Sequence, residues 1–176
     1  MNLTAATPPR SLRLRLRRIL SLLRHPTQIG GRKRRQRRRR EQRKRLLSLL
    51  PEEGVGAEIG TWEGDFAATI LSSRHPRQLY LIDPWEYRSE TEYQQAWYGG
   101  TRVGQDEMDV IHKRVTDRFS SELERGQVVM LRARSVDAAA SLPDKSLDWV
   151  YIDGDHTYEA VRSDLEAFYR TVKPGA

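Results

Sequence analysis

The chain is expected to fold as a doubly wound α/β sheet preceded by a basic tail. Three observations predict this. From Val55 onward, four short apolar runs alternate with helical patterns, and such alternation implies parallel strands joined by right-handed crossovers. The runs lack strict period-two patterning, as expected of strands covered on both faces. Three of them close on an acid (Glu58, Asp83 and Asp153), which places a row of carboxylates at one edge of the sheet.

Charge divides the chain in two. Residues 1–45 hold 17 Lys and Arg against the single acid Glu41, a net charge of +16, whereas the other 131 of the 176 residues hold 14 bases and 23 acids, a net of −9. The basic pI therefore belongs to a tail, and the body from residue 46 to 176 is acidic. The tail pairs Leu12, Leu16, Ile19, Leu20 and Leu23, at helical spacing, with the run RKRRQRRRR from Arg32 to Arg40. An amphipathic helix followed by a disordered charge run is expected. Two readings stand: a solvated arm or upstream sequence without a role, or a polyanion- or membrane-surface contact. No aromatic interleaves the arginines, so base stacking has no platform there.

The chain has no cysteine, which excludes disulfides, thiolate metal sites and cysteine nucleophiles and suits a cytoplasmic location. No apolar run approaches the ~18 residues of a membrane-spanning helix.

The elements follow in order. A helical pattern from Arg43 through Leu46, Leu47 and Leu50 stops at Pro51. Val55 to Ile59 reads as a buried strand, Gly60 to Gly64 as a tight turn, and Asp65 as a cap or first-turn acid for a helix over 65–74. Gln78 to Trp85 is a second strand. The connection from Pro84 to Gly126 is long and carries Trp85, Tyr87, Tyr93, Trp97 and Tyr98 before a helix over 104–124. Such an insertion suits a lid or substrate wall, and equally a helix packing its aromatics on the sheet. Gln127 to Ala133 is a third strand, 136–141 a short helix, Leu147 to Gly154 a fourth strand, and 157–171 a last helix.

Ligands of such sheets bind at the carboxyl ends of the strands, at the topological switch point. Asp83 lies 25 residues after Glu58, where an acid can accept from both hydroxyls of a ribose. Gly60 and Gly64 let the first turn approach a ligand closely. The turn is E-x-G-x-x-x-G rather than the G-x-G-x-x-G that cradles a pyrophosphate, which weakens a dinucleotide-dependent oxidoreductase. A cationic sulfonium tolerates acids close by.

Taken together, AEIGTWEG, LYLIDPW, the RARS stretch and DWVYIDGDHTYEAVRSDL resemble the class I S-adenosylmethionine-dependent methyltransferases, with a Rossmann-like sheet, over Leu46 to Ala176. The resemblance is closest to methyltransferase family 24, related to macrocin-type sugar O-methyltransferases and more distantly to catechol-type enzymes. It implies that Glu58, Gly60, Thr61, Trp62 and Gly64 line the methionine part of S-adenosylmethionine. Asp83 would bind the ribose, with Trp85 beside it and Ser135 near the adenine. Asp153 would be the ligand of a divalent metal such as Mg²⁺, and His156 the catalytic base toward the hydroxyl of a small sugar or aryl acceptor. The plainer reading of His156 is a helix N-terminal residue bonded to a neighbour, and Asp155 reads better as a helix cap than as a ligand.

The chain stops at TVKPGA, where the resemblance leads into a fifth strand. A fragment of a longer protein is the expectation, with a truncated gene product, or a partner or oligomer completing the sheet, as the alternatives. The competing function is a catalytically dead cofactor-binding scaffold that contacts polyanions or a membrane through the tail. A nucleic-acid methyltransferase is disfavoured by the acidic body and by the absence of an N-P-P-Y-type motif.

Overall fold

A computed structural model describes residues 41, 43, 45–100 and 104–175. The expected amphipathic helix around Leu12 to Leu23 and the arginine run lie outside the described residues. The chain divides into two units, residues 1–46 and 47–176. In the first, the described residues are helical.

The second unit contains β1 (Val55–Ile59), α1 (Asp65–Arg74), β2 (Gln78–Ile82), a 3₁₀ turn (Thr91–Tyr93), α2 (Gln105–Arg118), α3 (Ser120–Glu124), β3 (Val128–Leu131), α4 (Ser135–Ser141), β4 (Trp149–Ile152) and α5 (Tyr158–Tyr169). The four strands form one parallel sheet in the order β3-β2-β1-β4. The chain runs outward from β1 through β2 to β3, then returns to lay β4 on the other side of β1. The switch point therefore falls between β1 and β4, where Ile59 is paired with Ile152.

Alternate residues of each strand feed two cores. Leu79, Leu81, Val128 and Trp149 pack with Phe66, Ile70, Met108, Ile111, Val115 and Phe119 on one face. Ala57, Ile59, Ile82 and Leu147 pack with Ala138, Ala139, Leu142 and Phe168 on the other. Burial on both faces explains the near-continuous apolar runs in the sequence. In β1, Gly56 leaves room for an indole: a Cβ there would lie 2.1 Å from the ring of Trp149.

The three later strands are shorter than their sequence patterns, with β3 only Val128–Leu131 and β4 only Trp149–Ile152, and one expected helix is broken. The second strand ends at Ile82 because Pro84 has no N–H for the ladder and Trp85 turns to φ 42°. The helical pattern over 104–124 breaks at Phe119 (φ −106°, ψ 20°), whose ring enters the core against Gly64. Beside that break, Arg118 pairs with Asp65 and donates to the Glu63 carbonyl, joining the end of α2 to the start of α1.

The end of the described chain returns to the sheet. Leu147 and Val172 form a parallel bridge, Lys173 Nζ donates to Asp148 Oδ1 at 2.6 Å, and the Val55 N–H donates to Asp148 Oδ2 at 2.7 Å. These bonds hold the entries of β1 and β4 together. Among the described residues no helix is long and apolar enough to cross a membrane.

Candidate active site

The carboxyl ends of β1 and β4 meet with no side chain between them. Gly60 adopts φ 86°, and a Cβ at this position would stand 2.5 Å from the Asp153 carbonyl oxygen. The Gly60 N–H donates to Ile82 O and the Asp153 N–H to Ile59 O, both at 2.8 Å, so the ladder fixes where the following loops leave the sheet. A left-handed backbone in contact with another backbone admits only glycine.

Asp83 organises the loops that follow. Its Oδ2 accepts the Trp62 N–H at 2.9 Å and its Oδ1 accepts the Trp85 N–H at 2.7 Å. The Trp85 indole N–H in turn donates to the Trp62 carbonyl at 3.0 Å. Trp62 (φ 50°) and Trp85 (φ 42°) both sit in the left-handed region, which bulky residues enter only when surrounding bonds hold them there. Burial pushes the Asp83 carboxyl above its ordinary range, and the two amide bonds only partly offset that. Each carboxylate oxygen carries two acceptor positions, so one on each remains after the amide bonds.

The other predicted cofactor residues lie in β1, in the turns after β1 and β2, and at the start of α4. Glu58 is 2% exposed, in the middle of the sheet opposite Leu81 and Tyr151. Thr61 is also buried, and its Oγ1 has no hydrogen-bond partner among the described residues. The Thr61 carbonyl accepts the Gly64 N–H at 2.8 Å and closes the turn. Trp62 is half-buried. Trp85, only 1% exposed, is a core residue whose ring lies 4.8 Å from that of His112. Ser135 opens α4, and its hydroxyl is engaged by the buried carboxyl of Asp164 on α5, whose protonated form burial favours. Beside it, a cleft of about 400 Å³ between the ends of β2 and β3 is lined by Pro84, Trp85, Glu86, Arg132 and Arg134.

The D-G-D-H segment splits into two jobs. Asp153 is half-buried at the end of β4, with Tyr151 Oη 3.5 Å from its Oδ2 and the His156 Nε2 3.9 Å from its Oδ1. The His156 side chain is 77% exposed. Asp155 is already committed. Its Oδ1 accepts the Thr157 N–H at 2.9 Å, just ahead of α5, while Thr157 caps the helix by accepting from the Ala160 N–H. Its Oδ2 accepts from the Tyr93 hydroxyl at 2.8 Å.

Tyr93 belongs to the connection after β2, which closes on itself through a parallel bridge between Arg88 and Gly99 and a bond from the Arg88 N–H to the Tyr98 carbonyl. The Arg88 guanidinium lies 4.4 Å over the Tyr93 ring, and Tyr93 packs on Tyr98. The segment thus reaches from β2 to the turn after β4. Its Trp97 comes to 5.9 Å from Trp62 in the turn after β1. The aromatic insert named in the sequence therefore lies at the strand ends. Sequence reasoning passed over Asp164, whose signal is a carboxylate four residues before the buried Phe168 on the same helix.

A parallel, doubly wound sheet with a glycine turn at its switch point and an acid closing β2 has the architecture of the class I methyltransferases. The chain belongs to methyltransferase family 24, whose sequence model, described as a methyltransferase domain, matches residues 57–176. No curated protein matches the chain. Among solved structures, precorrin-6y C5,15-methyltransferase from Geobacter metallireducens GS-15 aligns with a TM-score of 0.49 at 17% identity, over 76% of this chain. A putative sarcosine dimethylglycine methyltransferase from Galdieria sulphuraria aligns at 0.48 and 12% identity over 73%. A spermidine synthase in complex with the transition-state analogue AdoDATO aligns at 0.46 and 12% over 72%. The chain spans 57%, 39% and 38% of those three proteins, respectively.

The residues present suit S-adenosylmethionine: a buried Thr61 hydroxyl with an unused bond, a Gly60 turn that a Cβ would close, and acids for a cationic ligand. They suit a magnesium ion less well. Among the described residues no three His, Cys, Asp or Glu side chains gather as a metal site. Asp155 is held by Tyr93 and Thr157, which leaves Asp153 beside His156, and Mg²⁺ usually draws on more oxygens than one carboxylate supplies.

Proposed function

We propose that this chain binds S-adenosylmethionine at the switch point and methylates a hydroxyl of a small molecule. The observation that carries this is the Asp83 carboxylate, bonded to the amides of Trp62 and Trp85 with acceptor positions to spare, and separated by one strand, β1, from the end of β4 that carries the D-G-D-H turn. The cofactor supplies an electrophilic methyl group, so the protein's share of the work is to place a nucleophile in line with it. Asp83 takes the ribose hydroxyls. Thr61 and the Gly60 turn receive the amino-acid end, and Ser135, oriented by Asp164, borders the adenine side.

His156 takes the proton of the acceptor hydroxyl as the new bond forms, and Asp153, 3.9 Å from its Nε2, stabilises the imidazolium that results. Exposure of His156 is consistent with a group that meets an incoming acceptor rather than one that packs a core. The role assigned to Mg²⁺ by the resemblance has no donor set among the described residues, and no step depends on it. Calorimetric titration with S-adenosylhomocysteine tests the reading. Saturable binding of one ligand per chain, weakened by Asp83→Ala, is expected; a folded protein that binds none overturns it.

A further inference from the structure

We infer that one flank of α5 is a self-association surface, on which a second copy of this chain lays its own α5 antiparallel across a two-fold axis. The helix has two committed sides. Asp164 and Phe168 are buried, and Ala167 packs against the core that holds Ala138, Ala139 and Leu142. Arg170 reaches the same neighbour, bonding the Ala139 and Leu142 carbonyls and the Asp144 carboxylate. Tyr158, Leu165 and Tyr169 recur at spacings of seven and four residues, which puts them in one stripe on the side away from Ala167. They are 75%, 58% and 86% exposed, respectively. The strand before this helix, β4, is at the edge of the sheet. Large apolar and aromatic groups aligned in water in this way mark a contact surface.

Two features of the stripe select a copy of the same helix as the partner. Its aromatic ends, Tyr158 and Tyr169, have their midpoint at Ser163–Asp164. The exposed ion pair beside the stripe, Arg162 Nε to Glu166 Oε1 at 2.8 Å, shares that midpoint. A two-fold axis there sets each Tyr158 on the partner's Tyr169 and seats Leu165 against the alkyl stem of the partner's Arg162. Both charged residues lie on one side of the stripe, and an antiparallel two-fold keeps that side facing itself. The two ion pairs therefore meet head to tail, each Arg162 opposite the partner's Glu166. A parallel arrangement would set Arg162 on Arg162. The contact runs along only about 16 Å of helix, so the association belongs to the small, transient class of interfaces, with about micromolar strength.

Sedimentation velocity of the full chain reads the association. The wild type should pass from monomer toward dimer between about 2 and about 200 µM, and Leu165→Glu should raise the dissociation constant by at least about tenfold. Arg162→Glu and Glu166→Arg should each weaken self-association, because each sets like charges across the axis. Mixed in equal amounts, the two variants should form a heterodimer tighter than either forms alone, since the acidic helix of one then faces the basic helix of the other. All three substituted side chains are exposed, so circular dichroism of each variant should match the wild type. A wild type that stays monomeric throughout, a folded Leu165→Glu that associates equally well, or variants that gain nothing on mixing would overturn the inference. No cofactor enters the measurement, so its outcome is independent of the methyltransferase reading.

Discussion

The hydroxyl of Tyr93 donates to Asp155 Oδ2 at 2.8 Å across a separation of 62 residues, joining the connection after β2 to the turn after β4. The same carboxylate holds the Thr157 N–H through its other oxygen. One side chain therefore fixes both the start of α5 and the segment after β2, and His156 follows it directly in the chain.

Tyr93→Phe keeps the buried ring and removes only this bond. Loss of a hydrogen bond to a carboxylate should cost about 1.5–3 kcal/mol, read as a lower midpoint in urea unfolding. Cofactor affinity should change little, because Asp83 and Thr61 are untouched. A rise in KM for the acceptor with unchanged S-adenosylhomocysteine binding would locate the effect at that segment.

His156→Ala should lower turnover by about 10²–10⁴-fold, the usual contribution of a positioned base. Its exposed side chain supports little packing, so stability should hold within about 0.5 kcal/mol. Single-turnover rates measured beside cofactor affinity separate the two effects. If the variant lost cofactor binding while turnover per bound cofactor was retained, the role of base would be untenable.

Gly56→Ala places a methyl 2.1 Å from the Trp149 ring, in contact with backbone-anchored aromatic carbons that cannot move aside cheaply. Overpacking of this kind costs about 1–3 kcal/mol or more. The expected result is a large drop in thermal midpoint, relieved in part by Trp149→Phe in the same chain. No rescue would mean that the strand, rather than the indole, refuses the side chain.

Acid should loosen the seam between β1 and β4. The bond from Lys173 holds the Asp148 carboxyl below its ordinary value of 3.8, aided by the Val55 N–H. A depressed carboxylate contributes stability that is present above its unfolded pKa and is lost as pH falls through the folded one. Stability should therefore decline below about pH 4 in the wild type, and less steeply in Asp148→Asn, when unfolding is followed across that range.

Much of this arrangement is legible in the sequence. Val55–Ile59 and 65–74 could be bounded to the residue because glycines and the His75–Pro76 break punctuate them, and the acids at the strand ends marked the edge that matters. What escaped depends on distant contacts. Only tertiary packing reveals that Phe119 interrupts the helix, and that Trp85 belongs to the core. The insert's aromatics left two readings open: Tyr93 packs and bonds inward, whereas Trp97 faces water. Nothing local distinguishes those two residues; the partner that does so for Tyr93 is Asp155.

Cofactor binding through Asp83 is tested by calorimetry of the wild type and of Asp83→Ala with S-adenosylhomocysteine, repeated at decreasing pH. One site per chain is expected, with a loss of about tenfold or more in the variant, the range for removing a charged hydrogen-bonding partner. Because burial raises the Asp83 pKa above 3.8, wild-type affinity should fall on acidification as that carboxylate takes up a proton, at a pH above the usual aspartate range. Undiminished binding by a folded Asp83→Ala protein, or none by the wild type, would contradict cofactor binding through Asp83.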